Sequence, residues 1–390
     1  MSYSFRTTCV TGNPQYKPRD NTGCITVPIY QSATFAHPSL GVSTGYDYSR
    51  LENPTREYAE QVVASLDHAK YGFAFSSGMA AVTALFDAFD AGTTVISSDD
   101  LYGGSIRLFN TIEKSRNLTL TYTDTSNLVN VRKSFETAEK NGERVTAVYI
   151  ETPSNPTMLI TDIKKTAELA HEHHALLVVD NTFLTPYFQQ PLSLGADIVV
   201  QSGTKFLCGH NDTLAGFLTT NNNELAEKIA FVVKTTGSGL APFDSYLAVR
   251  GIKTLAVRME AQQKSAQEII SWLSICPSVT KVLYPGIKDN PGYEINKSQA
   301  TGFGSMMSFY VDTPERAENI LGSVKLIRFA ESLGGVESLV TYPLTQTHAD
   351  VPEADRKRKG ITNTLLRLSV GLEDAQDLIA DLAQAMNGSR

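Results

Sequence analysis

The chain has 390 residues, of which 42% are hydrophobic and 19% are charged. That length is enough for two or three domains with a core that needs no disulfide or metal for its stability. A formal charge of −7 argues against nucleic acid, or an anionic membrane surface, as the main partner.

Cysteine usage and the N-terminal segment bear on the compartment. The four cysteines, Cys9, Cys24, Cys208 and Cys276, are scattered and form no Cys-x-x-Cys pair. Neither a disulfide framework nor a structural zinc site is therefore expected. The first six residues lack the apolar core of a signal peptide, and no window approaches the ~20 apolar residues of a membrane span. We expect a soluble, cytoplasmic protein without a membrane partner.

Residues 1–55 are rich in Gly, Pro, Thr, Asn and Tyr and show little helical periodicity. A segment with so few core residues must pack on its own chain or on a neighbouring subunit. We interpret it as an N-terminal arm that reaches a neighbouring subunit.

Residues 56–245 alternate short apolar runs with amphipathic stretches, such as a helical pattern that begins at Met79. Alternation of strand and helix predicts a mainly parallel sheet covered on both faces, within one α/β domain. The strand candidates are residues 72–75, 94–97, 118–122, 145–150, 175–179 and 196–200.

The pattern changes near residue 246, and residues 246–390 are predicted to form a smaller α+β domain. A long helix is expected over residues 252–272 and an amphipathic helix over residues 374–386. The strand candidates of this region are residues 279–283, 304–310, 326–329 and 365–370.

Polar residues follow three of the strand candidates, and ligands bind beyond the carboxyl ends of strands in open α/β sheets. Ser77, Gly78 and Met79 begin a helix, where exposed N–H groups can hold an anion, although a structural Ser-Gly cap gives the same pattern. Asp180 ends an apolar strand, where it needs a cation or hydrogen-bond donors, or else is a turn residue. Residues 201–205 supply two hydroxyls and Lys205 at the third strand end.

One cofactor would explain all three signals. A lysine amine forms an imine with an aldehyde cofactor, and pyridoxal 5′-phosphate (PLP) also needs an acid that faces its pyridinium nitrogen. Lys205 and Asp180 would fill these roles. The phosphate would lie on Ser77, Gly78, Met79, Ser202 and Thr204.

Three segments, Asp180-Asn-Thr-Phe183, Ser202-Gly-Thr-Lys205 and Gly209-His-Asn-Asp212, closely resemble the Cys/Met-metabolism family of PLP enzymes. That family includes cystathionine γ-synthase, the cystathionine β- and γ-lyases and methionine γ-lyase. The resemblance implies the aspartate-aminotransferase-like fold (fold type I), with a mostly parallel seven-stranded sheet and helices on both faces. It extends over nearly the whole chain, through Tyr46-Asp-Tyr-Ser-Arg50, Asn53-Pro-Thr-Arg56, Tyr102-Gly-Gly104, Glu151-Thr-Pro-Ser-Asn-Pro156, residues 331–338, Thr347-His-Ala349 and residues 366–374.

The resemblance also implies the roles of individual residues. Lys205 would be the Schiff-base lysine and the proton-transferring base, and Tyr102 would stack on the cofactor ring and shuttle protons. Tyr48 and Arg50 would reach the phosphate of a neighbouring subunit, within a homotetramer built as a dimer of dimers. The implied cofactor-binding set is Tyr48, Arg50, Ser77, Gly78, Met79, Tyr102, Asn155, Asp180, Thr182, Ser202, Thr204 and Lys205. The implied substrate-binding set is Asp47, Asn155, Glu331, Ser332, Leu333 and Arg367.

Two other classes of function compete with this interpretation. A zinc enzyme would use His171, His173 and His174, but helical offsets of two and three place them on different faces, so no metal is expected. A non-enzymatic binding module would leave Lys205 and Asp180 without a role.

Members of the family differ in the substrate they accept, and the substrates differ at the end that lies away from the reacting α-carbon. Cystathionine carries a second ammonium there, and Glu331, with Asp47 as a second candidate, is the acid placed to bind it. Gly104 stands where the resemblance places a cysteine in methionine γ-lyases. We therefore expect a cystathionine γ-synthase, which joins an O-acylhomoserine to cysteine. A cystathionine β- or γ-lyase is the alternative, with methionine γ-lyase a more distant one, and the acyl group stays open.

Overall fold

A computed structural model of the chain describes residues 3–13, 22–349 and 351–387. Its centre is a seven-stranded sheet in the order β1-β7-β6-β5-β4-β2-β3, which confirms the predicted fold class. β7 runs antiparallel to both of its neighbours and was absent from the strand candidates. The strands are β1 Tyr71–Phe75, β2 Thr94–Ser98, β3 Thr119–Thr123, β4 Val145–Glu151, β5 Leu176–Asp180, β6 Ile198–Ser202 and β7 Gly216–Thr220.

Helices cover both faces of this sheet because successive strand residues point to opposite sides. Tyr149 and Val178 pack in one core with three helices, α3, α4 and α8, whereas Val148 and Val179 pack in the opposite core with α5 and α6. The helices are α1 Phe5–Thr11, α2 Pro54–Leu66, α3 Gly78–Asp87, α4 Gly103–Arg116, α5 Leu128–Lys140, α6 Ile163–Glu172, α7 Thr185–Phe188, α8 Asn223–Thr236 and α9 Pro242–Ile252.

A second, mainly antiparallel sheet has the order β10-β11-β12-β9-β8. The short β11 was absent from the strand candidates because three residues carry too little pattern. The strands are β8 Val279–Leu283, β9 Met306–Val311, β10 Arg328–Phe329, β11 Leu339–Thr341 and β12 Leu365–Ser369. The helices of this region are α10 Leu255–Leu273, α11 Tyr293–Gln299, α12 Pro314–Ser323, α13 Glu353–Arg358 and α14 Ala375–Asn387.

Several predicted elements begin one to three residues later than expected, and the structure gives a physical reason for two of them. The helix predicted over residues 252–272 begins at Leu255, because Arg258 donates to the Gly251 carbonyl and the Thr254 hydroxyl and stabilises a break there. The strand predicted from residue 304 begins at Met306, since Gly304 has a φ of 73°. Periodicity cannot reveal either break, because apolar residues stand on both sides of each one.

Helix α10 joins the two halves of the molecule. Leu255 and Met259, in its first turns, pack in the core between α2, α9 and the first sheet. Ile269 and Leu273, in its last turns, pack in the core of the second sheet. The domain boundary predicted at residue 246 stays a prediction.

The N-terminal arm contains a helix that its composition did not suggest. Helix α1 packs on its own chain, where Cys9 is buried and the ring centroids of Phe5 and Tyr187 lie 5.4 Å apart. Further along, Ile25 and Leu40 are almost fully exposed. Part of the arm, residues 14–21, lies outside the described residues. Among the described helices, none has the length and apolar character needed to cross a bilayer.

Asp67 ties helix α2 to the first sheet. Its side chain is buried, and Oδ2 accepts hydrogen bonds from Gln201 Nε2 at 3.0 Å and Thr219 Oγ1 at 2.8 Å. Its other oxygen has no partner among the described residues. Burial raises the pKa of Asp67 to about 7, against these two hydrogen bonds.

Asp67→Asn should therefore stabilise the fold in a pH-dependent way. The unfolded carboxyl ionises near pH 3.9, whereas the folded one resists ionisation up to about pH 7, so the wild type loses stability as the pH rises between these values. The variant does not ionise and keeps both accepted hydrogen bonds. Urea unfolding at pH 4.5 and 7.5 should show its advantage growing with pH. The exposed Asp289→Asn is the control, and an equal pH response of both variants would contradict the assignment.

Candidate active site

A cavity of about 340 Å³ lies beyond the carboxyl ends of β4, β5 and β6. It is closed on the other side by the loop between β10 and β11 and by β12. Of the residues predicted to form the site, it brings together Ser77, Gly78, Met79, Tyr102, Asn155, Asp180, Thr182, Ser202, Thr204, Lys205, Glu331, Ser332, Leu333 and Arg367.

The start of α3 forms an anion-binding corner of this cavity. The side chain of Ser77 caps the helix by accepting the Ala80 N–H at 3.1 Å. The N–H groups of the first helical residues, Gly78 and Met79, are left to face an anion in the cavity. A Cβ on Gly78 would lie 3.0 Å from Ser202 Oγ, and one on Gly216 would lie 2.1 Å from the Ser77 carbonyl oxygen. A side chain at either glycine would crowd these atoms. With glycine at both positions, the backbone and the Ser202 hydroxyl lie close together, an arrangement that suits a phosphate.

Asp180 ends β5 with its carboxylate in the cavity. Oδ1 accepts the Thr182 N–H at 3.0 Å and the Thr182 hydroxyl at 2.6 Å, and Oδ2 accepts a longer contact of 3.4 Å from the Tyr149 hydroxyl. Burial nevertheless raises the pKa of Asp180. The turn interpretation and the functional one are thus both compatible with the geometry. A buried carboxylate of this kind is stabilised by a cation such as a pyridinium nitrogen.

Lys205 lies in the turn after β6, and its Nζ donates to Ser332 Oγ at 2.8 Å. Burial, and next the charge of Arg367, lower the pKa of Lys205 to about 8, while Glu331 opposes the shift. A lysine amine with such a pKa is a better nucleophile and base near neutral pH than an exposed one. Ser332 has a φ of 87°, a conformation that costs free energy for a residue with a side chain.

Arg367 lies on β12 with its guanidinium buried beside the cavity. Nη1 donates to Asn155 Oδ1 at 2.9 Å, and Nη2 donates to the Ser332 carbonyl at 3.1 Å and to Thr341 Oγ1 at 3.2 Å. Nε has no partner within the described parts of the chain. Burial lowers the pKa of Arg367 to about 10, against the charge of Glu151. A desolvated guanidinium suits a carboxylate ligand.

Three predicted site residues do not line the cavity. Asp47 accepts a hydrogen bond from Ser43 at 2.8 Å and lies 3.5 Å from a His37 ring nitrogen. Arg50 donates to the carbonyl of Lys234 at the end of α8, and its guanidinium lies 5.5 Å from the Tyr48 ring centroid. Within one chain these side chains stay outside the cavity, and their roles in a neighbouring site stay predictions.

Glu151 was not predicted as a site residue, although its motif was recognised. It ends β4 and lines the cavity, and its Oε2 accepts the Tyr102 N–H at 3.1 Å. The strand-end rule that identified Asp180 would have found it, because β4 and β5 pair in parallel with Glu151 opposite Asp180. The strand candidate over residues 145–150 ends one residue before this acid, so the prediction does not include it.

The three histidines of the rejected zinc hypothesis lie elsewhere. His171 Nε2 is 2.9 Å from Asp197 Oδ2, and His173 Nδ1 is 2.8 Å from Glu139 Oε1, so each of the two contacts an acid of its own. Across residues 3–13, 22–349 and 351–387, no group of three or more His, Cys, Asp or Glu is arranged to hold a metal ion.

The cavity therefore offers four kinds of group to a ligand: a helix N-terminus for a phosphate, a buried carboxylate for a cation, a lysine amine for a carbonyl and a guanidinium for a carboxylate. PLP with an amino-acid substrate has this set of partners, so the residues present fit the cofactor. The fit depends on close approach at Gly78 and on the buried groups of Asp180, Lys205 and Arg367.

Comparison with known proteins agrees with this fit. The family model described as Cys/Met metabolism PLP-dependent enzyme matches residues 6–387. A cystathionine γ-lyase of Bacillus subtilis (strain 168) is 47% identical over 94% of this chain and 95% of its own length. A cystathionine γ-synthase of Haemophilus influenzae (strain ATCC 51907 / DSM 11121 / KW20 / Rd) is 45% identical over 94% of both chains.

A solved structure extends the agreement to the whole fold. The crystal structure of cystathionine γ-lyase from Lactobacillus plantarum, complexed with L-serine, superposes with a TM-score of 0.93 at 41% identity and covers 98% of each chain. The chain is thus an enzyme that belongs to the Cys/Met-metabolism family of PLP-dependent enzymes, and it acts in trans-sulfuration chemistry with pyridoxal 5′-phosphate as its cofactor.

Proposed function

We propose that this enzyme is a cystathionine γ-synthase. In the reaction, the Cγ–O bond of an O-acylhomoserine breaks, the carboxylic acid leaves, and the cysteine sulfur forms a bond to Cγ. The observation that carries the proposal is the place of Glu331, whose exposed carboxylate lines the same cavity as Lys205 and Arg367. An acid there can bind an ammonium at the end of the substrate away from the reacting lysine.

The buried residues orient the substrate and move its protons. PLP, when bound, supplies an electron sink for the charge left at Cα of the substrate. Arg367, held by Asn155, binds the α-carboxylate and orients the Cα–H bond towards Lys205. The Lys205 amine takes the Cα proton, gives it up again and, for a γ-replacement, then takes a second proton from Cβ. Ser332 holds the amine in place at 2.8 Å, and a pKa of about 8 lets the amine accept and return protons near neutral pH.

Further residues around the cavity complete the proposed machinery. Asp180, as the anion, would favour a protonated pyridine nitrogen on the cofactor, and Thr182 fixes the orientation of its carboxylate. Tyr102 lines the cavity with 41% of its surface exposed, so its ring would be able to stack on the cofactor and its phenol to shuttle protons near the leaving group. Ser77, Gly78, Met79, Ser202 and Thr204 hold the phosphate.

A cystathionine lyase is the second candidate, because cystathionine would make the same contacts as a substrate that it makes as a product. The γ-lyase name of the Bacillus subtilis relative favours this alternative. The synthase and the lyase would bind cystathionine with the same residues, and they differ in the timing of the proton transfers and bond changes. Methionine lacks a distal ammonium, so Glu331 gives no reason to prefer methionine.

Steady-state assays decide between them. O-acetylhomoserine or O-succinylhomoserine with cysteine, cystathionine alone and methionine alone should be compared by kcat/KM. Formation of cystathionine with a higher kcat/KM than its cleavage supports the synthase. Efficient cleavage of cystathionine with no γ-replacement would assign the enzyme to the lyases.

Lys205→Ala tests the central assignment. The purified wild type should be yellow with a visible absorbance band, and the variant should lose the band because the amine that holds the cofactor is gone. Borohydride reduction of the wild type should attach the cofactor to a peptide that contains Lys205, as mass spectrometry can show. Lys281→Ala, at an exposed lysine outside the cavity, is the control. Attachment to another lysine would overturn the assignment.

Glu331→Ala tests the distal contact. Loss of a charge-assisted hydrogen bond of roughly 1.5–3 kcal/mol should lower kcat/KM for reactions that involve cystathionine about ten- to hundredfold. Methionine elimination, which lacks the distal ammonium, should change much less, and the cofactor absorbance should stay the same. An equal loss for all substrates would mean that Glu331 supports the fold or the α-carboxylate pocket instead.

Mixing two inactive variants tests the proposed sharing of sites between subunits. Arg50→Ala and Lys205→Ala should each be nearly inactive, but their heterodimers would contain one site with both wild-type residues and one with neither. Activity should return, up to about one site in two per heterodimer. Subunit exchange should be verified with two affinity tags. Exchange without any recovery would mean that the arm serves its own subunit.

A further inference from the structure

Two carboxylates end neighbouring strands at the cavity. Glu151 ends β4 and Asp180 ends β5, and the two residues face each other in the parallel register of the sheet. Both line the cavity, and Glu151 is 7% exposed. Two acids so close together in a desolvated site do not both carry a charge without a large cost.

Their hydrogen bonds distinguish the two acids. Asp180 accepts from two donors of Thr182 and from the Tyr149 hydroxyl. Glu151 accepts from one, the backbone N–H of Tyr102 at 3.1 Å from Oε2, and its Oε1 makes no hydrogen bond to a described residue. Because donors stabilise the charged form, the geometry places the negative charge on Asp180 and favours the neutral acid at Glu151.

The charged groups around Glu151 act in the same direction. Burial, and next the charge of Asp180, raise the pKa of Glu151 well above its ordinary value, and Asp100 adds to the shift. The Tyr102 N–H and Arg367 oppose it. Arg367 already donates hydrogen bonds to neutral oxygens of three other residues, so it is no dedicated counter-ion of Glu151.

The group held by Glu151 is the main chain of Tyr102. Tyr102 precedes α4 as its N-cap residue, but its side chain makes no capping hydrogen bond. The ring folds back over the start of the helix, where a Cβ on Gly104 would lie 2.4 Å from Tyr102 Cε1. Since the ring is also partly exposed, packing alone does not fix it, and the contact from its N–H to Glu151 ties the residue to the end of β4.

We propose that Glu151 is a positioning residue that works as a neutral acid, holding the backbone of Tyr102 in place and leaving the negative charge at these two strand ends to Asp180. The proposal rests on the proposed function through the roles of Tyr102 and Asp180. It does not depend on which sulfur substrate the enzyme prefers.

Three variants of the holoenzyme test the contact. Glu151→Ala removes the acceptor for the Tyr102 N–H, so kcat/KM should fall about ten- to hundredfold, and the visible circular dichroism of the cofactor should change as the ring moves. Glu151→Gln offers an amide oxygen to the same N–H and should recover most of the kcat/KM and the wild-type dichroism. Glu143→Ala, next to the opposite end of β4, loses hydrogen bonds from Thr94 and Asn141 that lie away from the cavity and should keep the wild-type dichroism.

Thermal unfolding tests the protonation state independently of activity. A neutral Glu151 resists ionisation when folded, whereas its unfolded carboxyl ionises near pH 4.3. As the pH rises from 5 to 8, the Tm of the wild type should therefore fall relative to that of Glu151→Gln. If Glu151 carried a stabilised charge, its carboxyl would already be ionised above pH 5 in both the folded and the unfolded state, and the Tm difference between the two proteins would stay constant over this range.

The outcomes separate this proposal from the proposed reaction. A glutamine variant as impaired as the alanine variant, or a Tm difference between the wild type and Glu151→Gln that stays constant from pH 5 to 8, would overturn the role of Glu151. A wild type that fails to make cystathionine would overturn the γ-synthase proposal and leave the dichroism and Tm comparisons able to decide on Glu151.

Discussion

Ser332 joins the two sheets at the cavity, and the arrangement of the site depends on this contact. Its hydroxyl accepts a hydrogen bond from Lys205, which follows β6 of the first sheet, and its carbonyl accepts one from Arg367 on β12 of the second. The left-handed φ of 87° directs these two groups towards opposite partners. A serine held in this costly conformation is consistent with a site in which position matters more than local stability.

Desolvation sets the chemistry of the groups that Ser332 brings together. It lowers the pKa of Lys205 and Arg367 and raises the pKa of Asp180 and Glu151, because the cavity penalises every charge. The same burial thus makes the lysine a base that works near neutral pH and leaves a carboxylate that favours a cationic partner. Perturbation of acids and bases in opposite directions within one cavity is typical of catalytic sites.

The residues at the buried end of the cavity indicate the cofactor and the class of substrate, whereas the residues at its mouth bear on which substrate is preferred. The buried residues suit any α-amino acid with PLP, which explains why the family contains lyases and synthases on one fold. Glu331 and Tyr102 line the cavity and are exposed, and the proposed function has them meet the part of the substrate beyond Cγ. Asp47, Tyr48 and Arg50 lie outside the cavity of their own chain, so the complete mouth depends on the proposed contribution of a neighbouring subunit.

The sequence by itself determined the class of fold and most of the buried site. Alternating strand and helix patterns predicted the sheet. The strand-end rule and the family motifs identified Lys205, Asp180 and Arg367. Patterns and motifs of this kind are properties of neighbouring residues along the chain, so they are visible in the sequence. The break before Leu255, the strand β11 and the pairing of Glu151 with Asp180 came only from the tertiary structure. Each depends on contacts between segments distant in sequence, and neither hydrophobic periodicity nor a local motif encodes which strands become neighbours or how deeply an acid is buried.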